Sequence, residues 1–311
     1  MSANNQGASG LSAGDTPSGN AVEPVVSAVD RLVLAVKDLD QSEAIYSRLF
    51  GREPSWRRTD RAGGSAHVLY DLGNISIELT AMVGPGIWGQ QAKRFIDARG
   101  EGILALILRS DDVEASAATL SARGLPTIVM PANEATGEDG TTRGWRHSLM
   151  AREASRNMSI IMCEHIGPRE GAWSSPLREG VAPEAAIDEL DHVVVMTSDA
   201  DACKALFGDM LGIRLALDHT KPEWGVRQLF FRLNGLTIEV VQSLDPEKQP
   251  KVDFLWGVAW KTKDIRATRE RLVAEGADMS EVTRGRKKGT EVATVRRPTS
   301  GVPTILIGLM K

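Results

Sequence analysis

The chain has 311 residues, of which 42% are hydrophobic and 25% charged, and its net charge is −4. That length suits two domains or one large one, and that composition can bury a core. The negative balance excludes a general binder of nucleic acid or of anionic membranes, which carries a basic surplus, and no run of about 18 apolar residues exists to span a bilayer. Two cysteines, Cys163 and Cys203, are too few for a disulfide framework, which fits a reducing, cytoplasmic compartment.

Residues 1–24 are rich in Ser, Gly, Asn and Ala, with no basic start and no apolar segment. They read as a disordered tail, not a secretory signal. Next, an apolar strand at Leu32–Val36 runs into KDLDQS. Asp40 falls there at a helix N-cap or first turn, beside the positive end of the helix dipole. The helix ends at the glycine of LFG, as a C′ position prefers. Three strands follow at 52–58, 66–72 and 75–81, the last two joined by the turn residues LGN (72–74). GILALILRSDDVEASAATLSARG is again strand, acidic cap, helix and glycine, and further strands close this half at MSIIMCEH. The stretch 166–187, rich in Gly, Pro and charge, reads as a linker.

The second half repeats this grammar. A strand at Val193–Met196 leads to SDADA, with Asp201 in the place of Asp40, and to a helix ending in MLG. Strands at 213–218, 226–233 and 236–242 follow, the last two joined by LNG (233–235). FLWGVAWKTKDIRATRERLVAEG and the final strand PTILIGLMK complete it. A shift of 161 residues lays Asp30 on Asp191, Asp38 on Asp199, Tyr46 on Phe207, Gly51 on Gly212 and Glu78 on Glu239, without a gap. Within each half the unit recurs once more, Asp112 answering Asp264 and Gly124 answering Gly276. Such self-similarity is structural duplication, and the chain is four β-α-β-β-β modules, two per half. One substitution stands out: Arg31 of VDRLVLAV occupies the place of His192 in LDHVVVMT.

This arrangement resembles the vicinal oxygen chelate superfamily, which includes glyoxalase I, extradiol dioxygenases, fosfomycin-resistance enzymes and bleomycin-binding proteins. The resemblance rests on LDHVVV…DADA…FGDMLG, on NGLTIEV and on AWKTKDIRA, and covers about residues 27 to 311. It implies an α+β fold of two tandem domains, each an open, cup-shaped, eight-stranded barrel. The expected division is a tail at 1–24, domain 1 at 27–165, a linker at 166–187 and domain 2 at 188–311. It further implies that four inward positions per cup can hold a metal. In domain 2 these carry His192 and Glu239, then Gly257 and Ile305, which bind no metal. In domain 1 they carry Arg31, Glu78, Ala105 and Ile160. Catalytic zinc usually keeps three protein ligands, and a facial-triad iron two histidines and a carboxylate, so both cups depart from the pattern.

Domain 1 is therefore expected to be the degenerate copy, with Arg31 and Glu78 as an ion pair closing a dead site. The sharper alternative has Arg31 binding an anionic substrate group. Domain 2 is the expected working cup, and His192 and Glu239 have three readings. They hold one divalent metal (Fe, Mn, Zn, Co or Ni) as an incomplete set, aided by an off-pattern residue such as His219. Or they form a metal-free acid–base pair. Or they are a vestige. His219 and Trp224 are placed at the rim, Gly257 and Ala259 leave room for an organic substrate, and Lys261 can meet an anionic group or simply solvent. Val258 and Trp260 fall on the helix side. His67 and His147 lie on strands without spaced partners, and the basic run TRGRKKGTE (283–291) reads as a solvated turn. The resemblance implies an enzyme, a lyase, isomerase or oxygenase, acting on a small oxygenated and perhaps aromatic metabolite in the domain 2 cup. The alternative is a metal-free small-molecule binding or resistance protein of the bleomycin-binding type. Expected partners are the small-molecule substrate and a second copy of the chain in a homodimer, not nucleic acid or membrane.

Overall fold

The computed structural model describes residues 22–167 and 174–310. The expected tail lies outside the described residues up to position 21, and its last residues are held in place. Arg123 donates to the Glu23 carbonyl at 2.9 Å, and the Val25 N–H donates to the Leu211 carbonyl at 3.1 Å.

The first half runs β1 (Ala28–Ala35), α1 (Leu39–Phe50), β2 (Trp56–Asp60), β3 (Ser65–Asp71), β4 (Ser76–Met82) and α2 (Ile87–Arg99), then β5 (Gly102–Arg109), α3 (Val113–Ala122), β6 (Thr127–Val129), β7 (Asn133–Thr136), β8 (Thr142–Met150) and β9 (Ser159–Ile166). The second half runs β10 (Ile187–Thr197), α4 (Ala200–Lys204), β11 (Arg214–Lys221), β12 (Val226–Leu233), β13 (Leu236–Ser243), β14 (Phe254–Thr262), α5 (Ile265–Ala274), β15 (Asp278–Met279), β16 (Thr283–Arg284), β17 (Thr290–Arg297) and β18 (Thr304–Leu309). The acidic segments act as expected. Asp38 and Asp199 cap α1 and α4 by accepting backbone N–H groups, with Asp40 and Asp201 in the first turns. Gly51, at φ 67°, closes α1 in the left-handed conformation. In the second half α4 passes into a short π-helical segment at Ala205–Met210 before its own glycine.

Each half is one nine-stranded sheet. The first follows β2-β3-β4-β1-β5-β9-β8-β6 with β7 on β8, and the second β11-β12-β13-β10-β14-β18-β17-β15 with β16 on β17. The duplication extends to register: Val33 faces Glu78 across β1–β4 as Val194 faces Glu239 across β10–β13. The first sheet curls until its ends meet. Trp56 Nε1 donates to the Thr141 carbonyl at 3.4 Å, and the Glu138 N–H donates to the Arg57 carbonyl at 2.9 Å. These bonds tie β2 to the β7–β8 hairpin and leave a cup.

The convex faces share a continuous apolar core, with Leu32 and Ile77 from the first half and Val240 and Leu306 from the second. Phe50 meets the fully buried Trp260 edge-on at 4.9 Å, so Trp260 does face the helix side. The halves differ between their fourth and fifth strands. The first inserts α2 there, and the second has only the short turn Pro246–Lys248. No helix among the described residues is long and apolar enough to cross a membrane.

Candidate functional site

Side chains alternate along a strand, and in the first half one face of that alternation lines a cavity of about 420 Å³. Trp56 and Arg58 reach it from β2, His67 from β3, and Arg31 from β1. Arg143, Trp145 and His147 reach it from β8, and α2 adds Trp88 over the mouth. Ala105 lines it as expected, but Ile160 does not. Ile160 is 1% exposed and packs in the core, while its neighbours Ser159 and Ile161 face the cavity. The expected position was one residue off, and a one-residue slip on a strand reverses the face.

Glu78 is the electrostatic hub. Arg31 Nε lies 3.0 Å from one carboxylate oxygen, and His67 Nδ1 lies 2.7 Å from the other. The first is an ion pair, and the second sets an imidazole nitrogen against the carboxylate. Burial alone would raise the Glu78 pKa, but the Arg31 charge and the His67 contact outweigh it and hold the carboxyl well below the usual range. Burial lowers His67 against the pull of Glu78 and leaves it neutral near pH 7. Its Nε2 meets Ser65 Oγ at 2.8 Å. His147 Nε2 lies 3.3 Å from Arg31 Nη2. Burial and then the Arg31 charge push His147 down to about 3, so its Nε2 accepts and its proton resides on Nδ1.

Two further arginines differ in how far they are satisfied. Arg143 donates to Asp71 at 2.9 Å and stacks over Trp56 at 4.8 Å. Arg58 lies 5.8 Å from the Trp56 ring centroid and 5.5 Å from that of Trp145, and its nearest carboxylate, on Asp60, is 3.9 Å away. Burial lowers its pKa against the pull of Glu78 and Asp60. A largely buried guanidinium whose counter-charges make no close bond to it is equipped to take an anion.

In the second half His192 and Glu239 do meet. His192 Nε2 is 3.2 Å from Glu239 Oε2, and its Nδ1 is 2.9 Å from Asp191. Gln228 donates to the other oxygen of Glu239 at 2.5 Å and accepts at 3.2 Å from His219. A polar chain thus runs His219–Gln228–Glu239–His192–Asp191 across four strands. His219 belongs to this set through Gln228, a residue the sequence did not single out. Trp224 is 40% exposed and lies apart from that chain, with Arg286 over its ring at 4.4 Å. Ala259 is fully buried opposite His192. Gly257 leaves no room, because a Cβ there would lie 2.7 Å from the Pro303 carbonyl oxygen. Lys261 pairs with Glu189 at 3.0 Å at the strand end.

Neither set of expected ligand positions offers a full set of metal ligands. In the first cup a guanidinium holds the carboxylate. In the second, the two donors face each other, Ala259 stands opposite His192, and Ile305 pairs with Ala259. Among the described residues, one group of three metal-capable donors is close enough to share an ion: Asp30, Cys163 and His165. The sequence signal for the first cup lay in alternate residues, WRRTD on β2 and RGWRH on β8. Each sets an arginine and a tryptophan on one face, but the pairing emerges only when the sheet curls.

A family profile, that of the Glyoxalase/Bleomycin resistance protein/Dioxygenase superfamily, matches residues 30–143 and 191–294. Similar folds include a triple-substituted mutant of 4-hydroxymandelate synthase from Streptomyces coelicolor, at 14% identity and a TM-score of 0.67, covering 92% of this chain and 93% of that one. A Mn(II)-bound glyoxalase from Novosphingobium aromaticivorans matches at 16% identity and a TM-score of 0.61, covering 93% and 84%. A comparison with curated proteins finds no match. The duplicated modules, the common strand order and the two matched regions together establish that the chain belongs to the glyoxalase/bleomycin resistance/dioxygenase superfamily, as two tandem domains.

Proposed function

We propose that the first cup binds a small, planar, oxygenated anion, of which an aromatic carboxylate is the simplest case, and that the chain is an enzyme acting on it. One observation carries this reading: among the described residues Arg58, set between Trp56 and Trp145, has Asp60 at 3.9 Å as its one carboxylate within ion-pair distance, with Glu78 acting on it from farther off. The carboxylate of the bound molecule completes the coordination of Arg58, and its ring lies between indole faces and the apolar wall. Across the cup, the Arg31 guanidinium and the Nδ1–H of the neutral His147 provide two donors. They suit a substrate oxygen on which negative charge develops. That fits a lyase or isomerase step, and no part of it passes through a metal at the family's positions.

A second reading, capture without turnover, is supported by the same cup. Its acids are already engaged: Glu78 with Arg31 and His67, Asp71 with Arg143 and with Ser76 at 2.5 Å, and Asp60 with the Gly63 N–H at 2.7 Å. None stands ready as a base.

Benzoate and its neutral isostere benzamide test the anion requirement by quenching of tryptophan fluorescence. Charge-assisted bonds are worth about 1.5–3 kcal/mol, so benzoate should bind at least about tenfold tighter, and Arg58→Gln should abolish the difference. Equal binding of the two probes by the wild type would overturn the reading. Product analysis over a panel of hydroxy and oxo aromatic acids separates turnover from capture.

A further inference from the structure

We propose that Asp30, Cys163 and His165 form a site for a thiophilic divalent cation of the zinc class, apart from the positions where the family resemblance puts a metal. One donor atom from each of the three lies within 4.8 Å of the others. His165 Nε2 is 2.8 Å from Asp30 Oδ1 and 4.0 Å from Cys163 Sγ. The backbone explains the cluster. Cys163 and His165 are two apart on β9 and share its concave face, with His165 bordering the cavity. Asp30 reaches them because β1 is irregular between Val29 and Arg31, where the ladder to β5 slips.

A thiolate, an imidazole and a carboxylate are a zinc-type donor set, and the thiolate disfavours magnesium and calcium. Charge balances as well. Asp30 and the Cys163 thiolate offset a divalent ion, while Arg31 already has Glu78 at 3.0 Å. Arg31 and Arg109 stand 3.6 and 3.5 Å from Asp30, where they orient the carboxylate as outer partners. The Arg109 side chain is 35% exposed and can turn to water when an ion enters. On binding, the Cys163 thiol gives its proton to solvent and its sulfur lone pair to the ion.

The inference does not depend on the anion reading, and its test uses no substrate. Metal-free protein is titrated with Co(II), whose bond to a thiolate gives a charge-transfer absorption. The chain has two cysteines, so the band reports Cys163 or Cys203. One equivalent should bind and show the band, and Zn(II) should displace it. Cys203→Ser should keep the band, Cys163→Ser should lose it, and His165→Gln should weaken binding at least about tenfold. A wild type without the band would overturn the proposal whatever the variants do, and so would a band that survives Cys163→Ser.

Discussion

Arg31 Nε stands 3.0 Å from Glu78, and at the equivalent place in the second half His192 Nε2 stands 3.2 Å from Glu239. The strand pair is the same, the register is the same, and the residue facing the glutamate differs. The third partner changes with it. The neighbouring strand carries His67 beside Glu78 and Gln228 beside Glu239. Each glutamate is thus gripped from both sides by groups that satisfy it. Duplication kept the acid, and each copy then chose its own pair of partners.

Glu78 joins two otherwise separate groups, so its loss should be felt in stability. Glu78→Gln leaves Arg31 buried without its main counter-charge, a change that typically costs about 3–5 kcal/mol. Because the folded pKa is depressed, the stabilisation is complete above the ordinary carboxylate pKa of about 4.3 and is lost as pH falls through the lower folded value. Urea unfolding of wild type and variant should therefore show a constant gap from pH 7 to pH 5 that narrows at more acidic pH. A gap that stayed constant down to pH 3 would mean that Glu78 is not held ionised by Arg31.

His147 shifts stability in the same direction, over a higher pH window. Its folded pKa is about 3, against about 6.5 in the unfolded chain. Between those values the unfolded state binds the extra proton, so stability declines as pH falls below about 6.5. The His147 ring resonance should stay unshifted from pH 8 to pH 5 in an NMR titration, and His147→Gln should flatten the decline. A midpoint near 6.5 for that resonance would show that the ring is not desolvated and that Arg31 does not suppress its charge.

The architecture could be read from the sequence because it is written twice. The acidic helix starts around Asp40 and Asp201, the glycine ends and the strand turns are local signals, and the repeat fixed their order. α2 was missed for local reasons. It starts at Gly86 without a side-chain cap and buries only Gly89 and Ala92, so no apolar stripe marks it. The sequence points to a closed first cup because Arg31 and Glu78 are legible as a pair, with anion binding by Arg31 as the alternative. Arg58, Trp56, Arg143 and Trp145 were not legible as a group. They lie on β2 and β8, far apart in the strand order, and the curl of the sheet brings them together. At the second cup, Gly257 looked like vacant space, and the Pro303 backbone fills it.

Gly257→Ala tests that last point. The Pro303 carbonyl near the added Cβ is pinned by the Val258 N–H at 2.9 Å, so it cannot retreat without losing a hydrogen bond. Overpacking of this kind costs about 1–3 kcal/mol. Gly208→Ala is the control, because its nearest foreign atom is an ordinary 3.7 Å contact with Phe231. Chemical unfolding should show a marked loss for the first and little change or a gain for the second. Equal effects would mean that close packing at Pro303 is not what demands glycine.

His192→Ala separates the two cups. Glu239 keeps its bond from Gln228 in the variant, and Asp191 is partly exposed and can turn to water. The loss should be that of one buried hydrogen-bonded group, about 1–3 kcal/mol. His192 does not line the first cavity, so benzoate affinity should stay within about threefold of wild type, whereas Arg58→Gln should lose it. The same reasoning covers the cation. If Asp30, Cys163 and His165 bind it, His192→Ala keeps both the Co(II) band and its stoichiometry. If His192→Ala lost benzoate binding with its fold intact, the ligand would sit in the second cup, and the polar chain from His219 to Asp191 would be the site to dissect.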